Sequence, residues 1–437
     1  MFLRIIAILF FFAIANTANA QLETVKTKKL AKGVTYKNFY MKKGKKKKLS
    51  THVVEFDLNK SDASLEVIKP YLRANGRDRL HSYIPIYDSL NNTETLVAIN
   101  GSFWQGGTNY PIGPTVLKGE LVTMNKYKNW SAAMFEFDEM EIDNFTFDVH
   151  ISGIENTEPI IVSQLNKRTD TSQIVMYNKY FGDSLGEIST SEILKQVKET
   201  IAEAKVNIAM AEDSTENFSE QDSIKLYEET FNVYKKLNRE FSSKKYIFEY
   251  IDDPSINEPI RIKFVKTVEF GHVAIPKKGF VITGDLSSFE QSIIKSKKLF
   301  LETQTVPQSA SKFDFGLSGI PRLVRNGIAK HEAANEGSKS KRFINGELPR
   351  TAIGTNRNKS KFYLVTVEAT QKSKRIFGAT LDNMAKLMKA IGCYNAMNLD
   401  GGGSSAMFIE GANVNIPSRP DFSRKLSVML GIVLKRK

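Results

Sequence analysis

Residues that could take part in catalysis or ligand binding are concentrated between positions 349 and 418. The densest run is Asp400-Gly401-Gly402-Gly403-Ser404-Ser405. Glycines have no Cβ atom, so their backbone can adopt positive φ and bring N–H groups close to a ligand. Such amides could hold a phosphate or a sugar, with Asp400 and Ser404 at the rim. A tight turn without a ligand has the same composition, and it is the alternative at this point.

A second candidate loop follows the apolar run at 96–99. It reads Asn100-Gly101-Ser102-Phe103-Trp104 and continues to Pro114, so that glycines, prolines, an amide and two aromatic rings are collected together. The apolar run is typical of a buried strand that delivers the loop to a sheet edge. Loops of this composition commonly bind ligands, although turns that only need glycine share it.

The elements that position these loops are predicted from hydrophobic periodicity. Alternation over 52–58 and 64–68 predicts a strand pair, and further strands are predicted at 145–149, 173–177, 260–264, 279–282 and 361–367. Helical spacing after a possible N-cap at Thr380 predicts a helix that ends at Gly392. The strand at 361–367 ends at Glu368, and the strand predicted after this helix leads into the glycine run.

Two amphipathic helices are predicted between about 185 and 250, each with a start signal: Ser189 with Glu192, and Ser219 with Asp222. We therefore predict the fold class α+β, with mixed β-sheets, flanking helices and an inserted helical hairpin. The main domain is expected at 51–437, with the insertion at about 186–248 and a basic segment at 21–50 before it.

The N-terminus has the pattern of an export signal. Arg4 is followed by an apolar run at 5–15 and by Ala18-Asn19-Ala20, as in a secretory signal peptide at 1–20. A membrane anchor is the alternative, but the run is shorter than the roughly 20 residues that a span needs. We expect a secreted or periplasmic protein with no membrane span. The single cysteine, Cys393, permits no intramolecular disulfide, so packing must supply the stability.

The net charge of +14 favours anionic partners, such as a phosphorylated carbohydrate or an anionic cell surface, over nucleic acid. Much of the excess lies in a lysine run at 42–48 that Gly44 interrupts and that contains no aromatic residue. Such a run is usually a solvated turn or tail. The sequence makes no prediction of the oligomeric state.

Several separated segments, in the right order, resemble the phosphodiester glycosidase family. Asn100-Gly101-Ser102-Phe103 is similar to its Asn-Gly-Gly-Phe-Phe loop, and Asn166-Lys167-Arg168 is a degenerate form of its Asn-Arg-Pro-Arg segment. The segments at 113–120 and 321–327 are also similar. The most specific matches are Pro349-Arg350-Thr351-Ala352-Ile353-Gly354 and the run from Asn398 to Ser405, followed by Val414-Asn415-x-Pro417-Ser418. The resemblance implies a hydrolase that cleaves a sugar's anomeric carbon from a phosphodiester oxygen.

One segment departs from the family's pattern. Where the family has Val-Asp-Gly-Arg, this chain has Val367-Glu368-Ala369-Thr370, which loses the glycine and the basic residue and lengthens the acid. Either Glu368 replaces the aspartate or the substrate differs. The helical hairpin is absent from the usual pattern, so it is expected to be an insertion that shapes the cleft or only decorates it.

The resemblance also implies roles for particular residues. Arg350 is the first choice for a phosphate clamp, because a guanidinium group binds phosphate bidentately, and Arg168 is the second. Asp400 is favoured over Glu368 as the catalytic carboxylate, as a base or nucleophile, with turn-capping as the rival role. The predicted substrate-binding residues are Asn100, Gly101, Phe103, Arg168, Thr351, Asn398, Gly401, Gly402, Gly403, Ser404 and Ser405.

Within this set, Asn100 and Asn398 would bind sugar hydroxyls or fix loops, and Phe103 or Trp104 could stack on a pyranose ring. None of the five histidines lies in a motif segment or at metal-ligand spacing. We therefore predict no histidine-based metal site and no cofactor. A cation bound by oxygen atoms at Asp400 stays an alternative.

Two other functions stay open from the sequence. One is a surface polysaccharide-binding or exopolysaccharide assembly protein that keeps the fold without turnover. Arg350 and Asp400 in one block argue against it, because a pure binder does not need both. The other is a phosphodiesterase that cuts the P–O bond, and the lack of a metal-ligand cluster in the sequence counts against it.

Overall fold

The computed structural model describes residues 22–44, 46–106, 108–124, 127–136, 139–155, 157–167, 173–186, 189–209, 219–416 and 423–436. The predicted signal peptide, Arg168, Pro417 and Ser418 lie outside these residues. Within the described part of the chain, no helix combines the length and apolar character needed to cross a bilayer.

The strands of the first half of the chain are β1 (Leu22–Ala31), β2 (Val34–Lys43), β3 (Lys47–Asp57), β4 (Ser64–Ile68), β5 (Thr93–Asn100), β6 (Thr115–Leu117), β7 (Glu120–Thr123), β8 (Ser131–Glu136), β9 (Glu139–Asp143), β10 (Thr146–Ser152), β11 (Ile160–Ile161), β12 (Gln164–Leu165), β13 (Val175–Asn178) and β14 (Ser184–Leu185). Those of the second half are β15 (Lys245–Tyr250), β16 (Ile260–Val268), β17 (Val273–Ala274), β18 (Gly279–Thr283), β19 (Leu299–Val306), β20 (Phe315–Gly319), β21 (Arg322–Arg325), β22 (Ile328–Ala329), β23 (Arg350–Thr355), β24 (Lys361–Val367), β25 (Asn395–Asn398), β26 (Met407–Ile409), β27 (Ala412–Asn413) and β28 (Met429–Lys435).

The α-helices are α1 (Leu80–Asn91), α2 (Thr190–Ala209), α3 (Glu220–Ser242), α4 (Glu290–Lys295), α5 (Lys341–Asn345) and α6 (Leu381–Ala390). The predicted start of α6 is confirmed, since the Thr380 hydroxyl accepts a hydrogen bond from the Asn383 N–H at 3.2 Å. The helical hairpin is also present, and α2 and α3 pack against each other. Its predicted boundary near 248 falls inside β15, so the helical part ends earlier, at Ser242.

Two large sheets and two smaller ones organise the strands, and the fold class α+β is confirmed. The first large sheet has the order β1-β2-β3-β24-β23-β25-β21-β22, and the second has the order β11-β10-β19-β16-β15-β18-β13-β12. The five-stranded sheets have the orders β7-β6-β20-β8-β9 and β27-β26-β5-β28-β4, and β14 pairs with β17. The prediction that the strands at 52–58 and 64–68 form a pair is wrong, because β3 pairs with β2 and β24 whereas β4 pairs with β28.

The basic segment at 21–50 belongs to the first large sheet. It forms β1, β2 and the start of β3, so the predicted boundary at 50 cuts a strand. Its periodicity is weak because β1 is exposed on both faces along most of its length. A strand that buries neither face does not show the apolar alternation used to find strands.

The first large sheet is covered on both faces. On one face, Phe56 and Leu364 share a hydrophobic core with Ile99 and Leu430 of the five-stranded sheet that contains β5 and β28. On the other face, α6 packs its buried apolar side chains, Leu381, Met384, Leu387 and Met388, against the sheet. Each such side chain contributes roughly 1.5–3 kcal/mol on burial. This packing holds the strand ends, and the loops that follow them, in fixed positions.

Candidate functional site

Three motif segments reach the same end of the first large sheet because their strands are neighbours. β23 pairs with β24, where Arg350 lies opposite Val367, and with β25 on its other side. Glu368 follows the end of β24, Arg350 begins β23, and Asp400 comes shortly after β25. Glu368 and Asp400 are therefore about two strand spacings apart, on the order of 10 Å between backbones.

Asp400 is half-buried in a loop that other segments hold in place. Its Oδ1 accepts a hydrogen bond from the Gly401 N–H at 2.8 Å, and its own N–H donates to the Gly101 carbonyl at 3.1 Å. Burial raises the pKa of the Asp400 carboxyl, although Ser404, the charge of Arg424 and the Gly401 N–H each act to lower it. The carboxylate is therefore a stronger base than an exposed aspartate.

The glycines that follow Asp400 are required for different structural reasons. Gly402 has a φ of +58°, and a Cβ there would meet nothing within 4 Å, so its backbone conformation explains it. A Cβ on Gly401 would lie 3.0 Å from the Pro349 carbonyl oxygen. The Gly401 N–H binds Asp400, and the Gly402 N–H donates to the Pro349 carbonyl at 2.9 Å. Two of the three amides expected to face a ligand are thus used within the protein.

Asn100 is fully buried and fixes the loop that carries Asp400. Its Nδ2 donates to the Asp400 carbonyl at 2.7 Å, and its Oδ1 accepts from the Thr351 hydroxyl at 2.6 Å and the Ala406 N–H at 3.0 Å. Asn398 is also buried, and its Nδ2 donates to backbone carbonyls. Of the two roles predicted for these asparagines, fixing loops fits this geometry.

Gly101 and Phe103 pack against other parts of the protein. The Gly101 N–H donates to the Val428 carbonyl at 2.8 Å, and a Cβ on this glycine would lie 2.9 Å from the same oxygen. The half-buried Phe103 ring contacts Trp130 and Phe343 edge to face, with centroid distances of 5.3 and 6.2 Å. Stacking of Phe103 on a sugar stays a prediction.

Arg350 is buried, with 1% of its surface exposed, and its donors bind backbone carbonyls. Nε donates to Ala379 at 2.9 Å, and Nη2 donates to Phe343 at 2.6 Å and to Gly346 at 3.2 Å. Burial lowers the pKa of Arg350 to about 10. The geometry therefore suits a residue that joins α5 and the turn after it to the segment at Ala379, rather than the phosphate clamp predicted from the sequence.

Glu368 is buried in a polar network rather than open to the sheet edge. Its carboxylate is 2.8 Å from His52 Nε2 and accepts a hydrogen bond from Gln371 at 3.0 Å. Burial alone would raise the pKa of Glu368, but the hydrogen bonds from His52, Ser50 and Gln371 and the charge of His52 outweigh it, so the pKa is lowered. The hydroxyl of Tyr36 lies 2.8 Å from the other ring nitrogen of His52.

Sequence reasoning missed His52 because its role depends on strand register. His52 lies opposite Thr366 in β24, so Glu368, two residues further on, projects from the same face of the sheet. No local motif marks such a pair, and only the pairing of β3 with β24 reveals it. His52 and Gln371 together hold the Glu368 carboxylate in place.

Arg424 is the second residue that the sequence did not indicate. Its Nη1 donates to the Ser404 hydroxyl at 3.4 Å, and its charge acts on Asp400. It borders a small, solvent-open pocket lined by Gly403, Ser404, Ser405, Ala406, Asn413, Asn415, Ser423 and Arg424. Within the described residues, the buried Ser405 hydroxyl has no hydrogen-bond partner. The guanidinium group of Arg424 and the hydroxyls of Ser404 and Ser405 thus line this pocket, and Ser404 and Arg424 both act on the nearby Asp400 carboxyl.

The architecture matches solved structures of other proteins. A hypothetical protein from Synechocystis aligns with 94% of this chain and 64% of its own, with a TM-score of 0.62 and 16% identity. A protein from Burkholderia pseudomallei that is described as exported aligns with 95% of this chain and 96% of its own, with a TM-score of 0.59 and 14% identity. At these identities the likeness shows a shared fold.

Sequence comparison finds similarity over part of the chain. Residues 263–433 match the phosphodiester glycosidase family, which confirms the resemblance drawn from the motifs. The N-acetylglucosamine-1-phosphodiester alpha-N-acetylglucosaminidases of Bos taurus and Homo sapiens are 29% and 31% identical to this chain over 162 and 163 residues. Each match covers 35% of this chain and 27% of the relative, so it spans about a quarter of the relatives' length.

Proposed function

We propose that this chain is a hydrolase that cleaves the glycosidic C–O bond of a sugar-1-phosphodiester on a glycan or cell-surface polymer. The family match supports glycosidase-like chemistry. The observation that carries the proposal is the half-buried Asp400 with its raised pKa, on which the charge of Arg424 acts, while Arg424 itself lines a polar pocket. The signal-like N-terminus supports action in the periplasm or outside the cell.

In the proposed reaction, Arg424 binds the phosphodiester anion through its guanidinium group. The bond between the anomeric carbon and the phosphoryl oxygen breaks, and the electron pair stays on that oxygen. Phosphate is a good leaving group, so a strong general acid is not needed. Asp400 takes a proton from a water molecule whose oxygen bonds to the oxocarbenium-like anomeric carbon. The products are a free sugar and a phosphomonoester.

The remaining site residues position this pair. Asn100 and Thr351 hold the backbone of the loop that carries Asp400. Arg350 connects α5 and the turn after it with the segment at Ala379 by donating to their carbonyls. Glu368, held by His52, lies at the same sheet edge without an open face.

Replacing Asp400 and Arg424 tests the proposal. With the methyl ester of a sugar-1-phosphate as substrate, Asp400→Asn should lower kcat by about two orders of magnitude or more, because the base is lost while the side chain keeps its shape. Arg424→Lys keeps the charge but loses the planar fork, so KM should rise about ten-fold. Asp382→Asn, an exposed change on α6, is the control. Wild-type turnover per folded molecule in Asp400→Asn would remove Asp400 from the chemistry.

One observation favours the second candidate, a polysaccharide-binding protein without turnover. Glycosidases typically use two carboxylates, whereas here Glu368 is committed to His52 and Gln371, and the proposed reaction relies on Asp400 alone. A binder would retain a phosphorylated glycan on the protein and release no sugar from it. Measuring free sugar and bound glycan in one incubation separates the two functions.

A further inference from the structure

Two basic segments that are far apart in sequence meet at one place on the surface. The tip of the β2–β3 hairpin contributes Lys46, Lys47 and Lys48, and the turn after Glu368 contributes Lys372, Lys374 and Arg375. We call these six residues the basic rim. Backbone hydrogen bonds join the segments: the Lys48 N–H donates to Arg375 at 3.1 Å, and the Phe377 N–H donates to Lys48 at 3.0 Å.

The basic rim lies at the same sheet end as the candidate site. β3 runs past the end of β24, since Thr51 pairs with Val367 and the Ser50 carbonyl accepts from the Glu368 N–H at 3.0 Å. Lys47 is three residues further out along β3, about 10 Å at the rise of a strand. The lysine run therefore extends beyond the edge where Glu368 lies.

The site also holds the rim in place. Arg350 donates to the carbonyl of Ala379, which follows the 372–375 turn, and to the carbonyls of Phe343 in α5 and Gly346 just after it. Glu347, the residue after Gly346, lies 3.6 Å from Lys47. The buried arginine thus connects the rim to the strand that begins beside Asp400.

Most of the rim's charge is not neutralised. Lys46, Lys372, Lys374 and Arg375 are exposed, and no carboxylate of the described residues forms an ion pair with them. Lys47 and Lys48 lie over the rings of Phe377 and Tyr40, at 4.3 and 3.5 Å from the centroids. Like charges gathered on one surface repel one another and raise the local concentration of anions.

We propose that the basic rim binds phosphate groups of an anionic polysaccharide chain beyond the linkage held at Asp400 and Arg424. This inference rests on the proposed function and names its substrate class, a polymer with repeating phosphates. A single small phosphodiester at the pocket does not reach the rim, because the two places are separated by more than two strand spacings, on the order of 10 Å or more.

The test compares the triple variant Lys372→Gln, Lys374→Gln, Arg375→Gln with a matched control, Lys295→Gln, Lys297→Gln, Lys298→Gln, which removes the same charge from exposed positions before the second large sheet's β19. Binding of long-chain inorganic polyphosphate and of neutral dextran is measured by calorimetry at about 0.05 and 0.3 M salt. We expect the rim variant to bind polyphosphate about ten-fold more weakly at low salt and the control to bind it like the wild type. Neither should bind dextran.

The outcomes keep the two proposals apart. Polyphosphate binding that falls equally in both triple variants, or in neither, overturns the proposed role of the basic rim. Binding to vesicles of anionic lipid without binding to polyphosphate overturns it as well. The proposed function is judged separately by release of sugar from a one-phosphate substrate. If that release is absent while the rim variant still loses polyphosphate binding, the rim survives and the hydrolase does not.

Discussion

Replacing Arg350 with methionine distinguishes a structural role from phosphate binding. The guanidinium group binds carbonyls at 2.6, 2.9 and 3.2 Å inside the protein, and methionine has similar length but no donors. Leaving a buried acceptor without its donor costs about 1–3 kcal/mol, and the two shorter of these hydrogen bonds are no longer than a typical N–H···O hydrogen bond. Removing a buried charge that has no carboxylate partner among the described residues offsets part of this loss. We expect the free energy of unfolding to fall by about 2 kcal/mol.

The assay is urea unfolding followed by tryptophan fluorescence and circular dichroism, with Arg436→Met as the control for an exposed arginine. The control should change the free energy of unfolding by less than about 0.5 kcal/mol. If Arg350→Met is as stable as the wild type, or more stable, the carbonyl bonds do not matter for the fold. That result refutes the structural role and makes Arg350 a candidate phosphate clamp again.

Three further changes test the electrostatics and the backbone of the site. The raised pKa of Asp400 means that the wild type loses stability as pH rises through this pKa, so Asp400→Asn should gain stability relative to the wild type between acid and neutral pH in unfolding experiments. Because the pKa of Glu368 is lowered, its ionised carboxylate stabilises the fold above the pKa of the unfolded state. This stabilisation is lost as the pH falls through the pKa of the folded state. Glu368→Gln should therefore be destabilising near neutral pH, with a gap that closes in acid, and a gap independent of pH would contradict its pairing with His52. Gly402→Ala should lower the free energy of unfolding by about 1 kcal/mol from positive φ alone, and Gly401→Ala should lower it more because its Cβ meets the Pro349 carbonyl. The reverse order of stability in thermal melts would be inconsistent with this loop geometry.

Local signals in the sequence were sufficient for the elements that bury one clear face. The helix after Thr380 and the strand ending at Val367 were predicted closely, because α6 presents one apolar stripe to the sheet and β24 is an almost continuous apolar run. The serine start signals of the helical hairpin were also correct: the Ser189 hydroxyl accepts from Glu192, and that of Ser219 accepts from Asp222.

Features that depend on strand pairing could not be read from local sequence. β1 has exposed lysines on both faces, so its sequence shows no apolar alternation that would predict a strand. The contact between His52 and Glu368 depends on the pairing of β3 with β24. Arg350 and Arg424 illustrate the same limit for the site. Both are arginines near a motif, but only the fold determines that Arg350 faces backbone carbonyls while Arg424 faces the pocket.

The fate of a labelled oxygen atom tests the central claim most directly. The wild-type protein is incubated with the methyl ester of a sugar-1-phosphate in water enriched in ¹⁸O, and both products are analysed by mass spectrometry. Cleavage of the C–O bond places the label on the anomeric carbon of the released sugar and none in the methyl phosphate, which is the result that attack at this carbon with Asp400 as base predicts. Label in the phosphate instead would show cleavage of the P–O bond and contradict the proposed glycosidase.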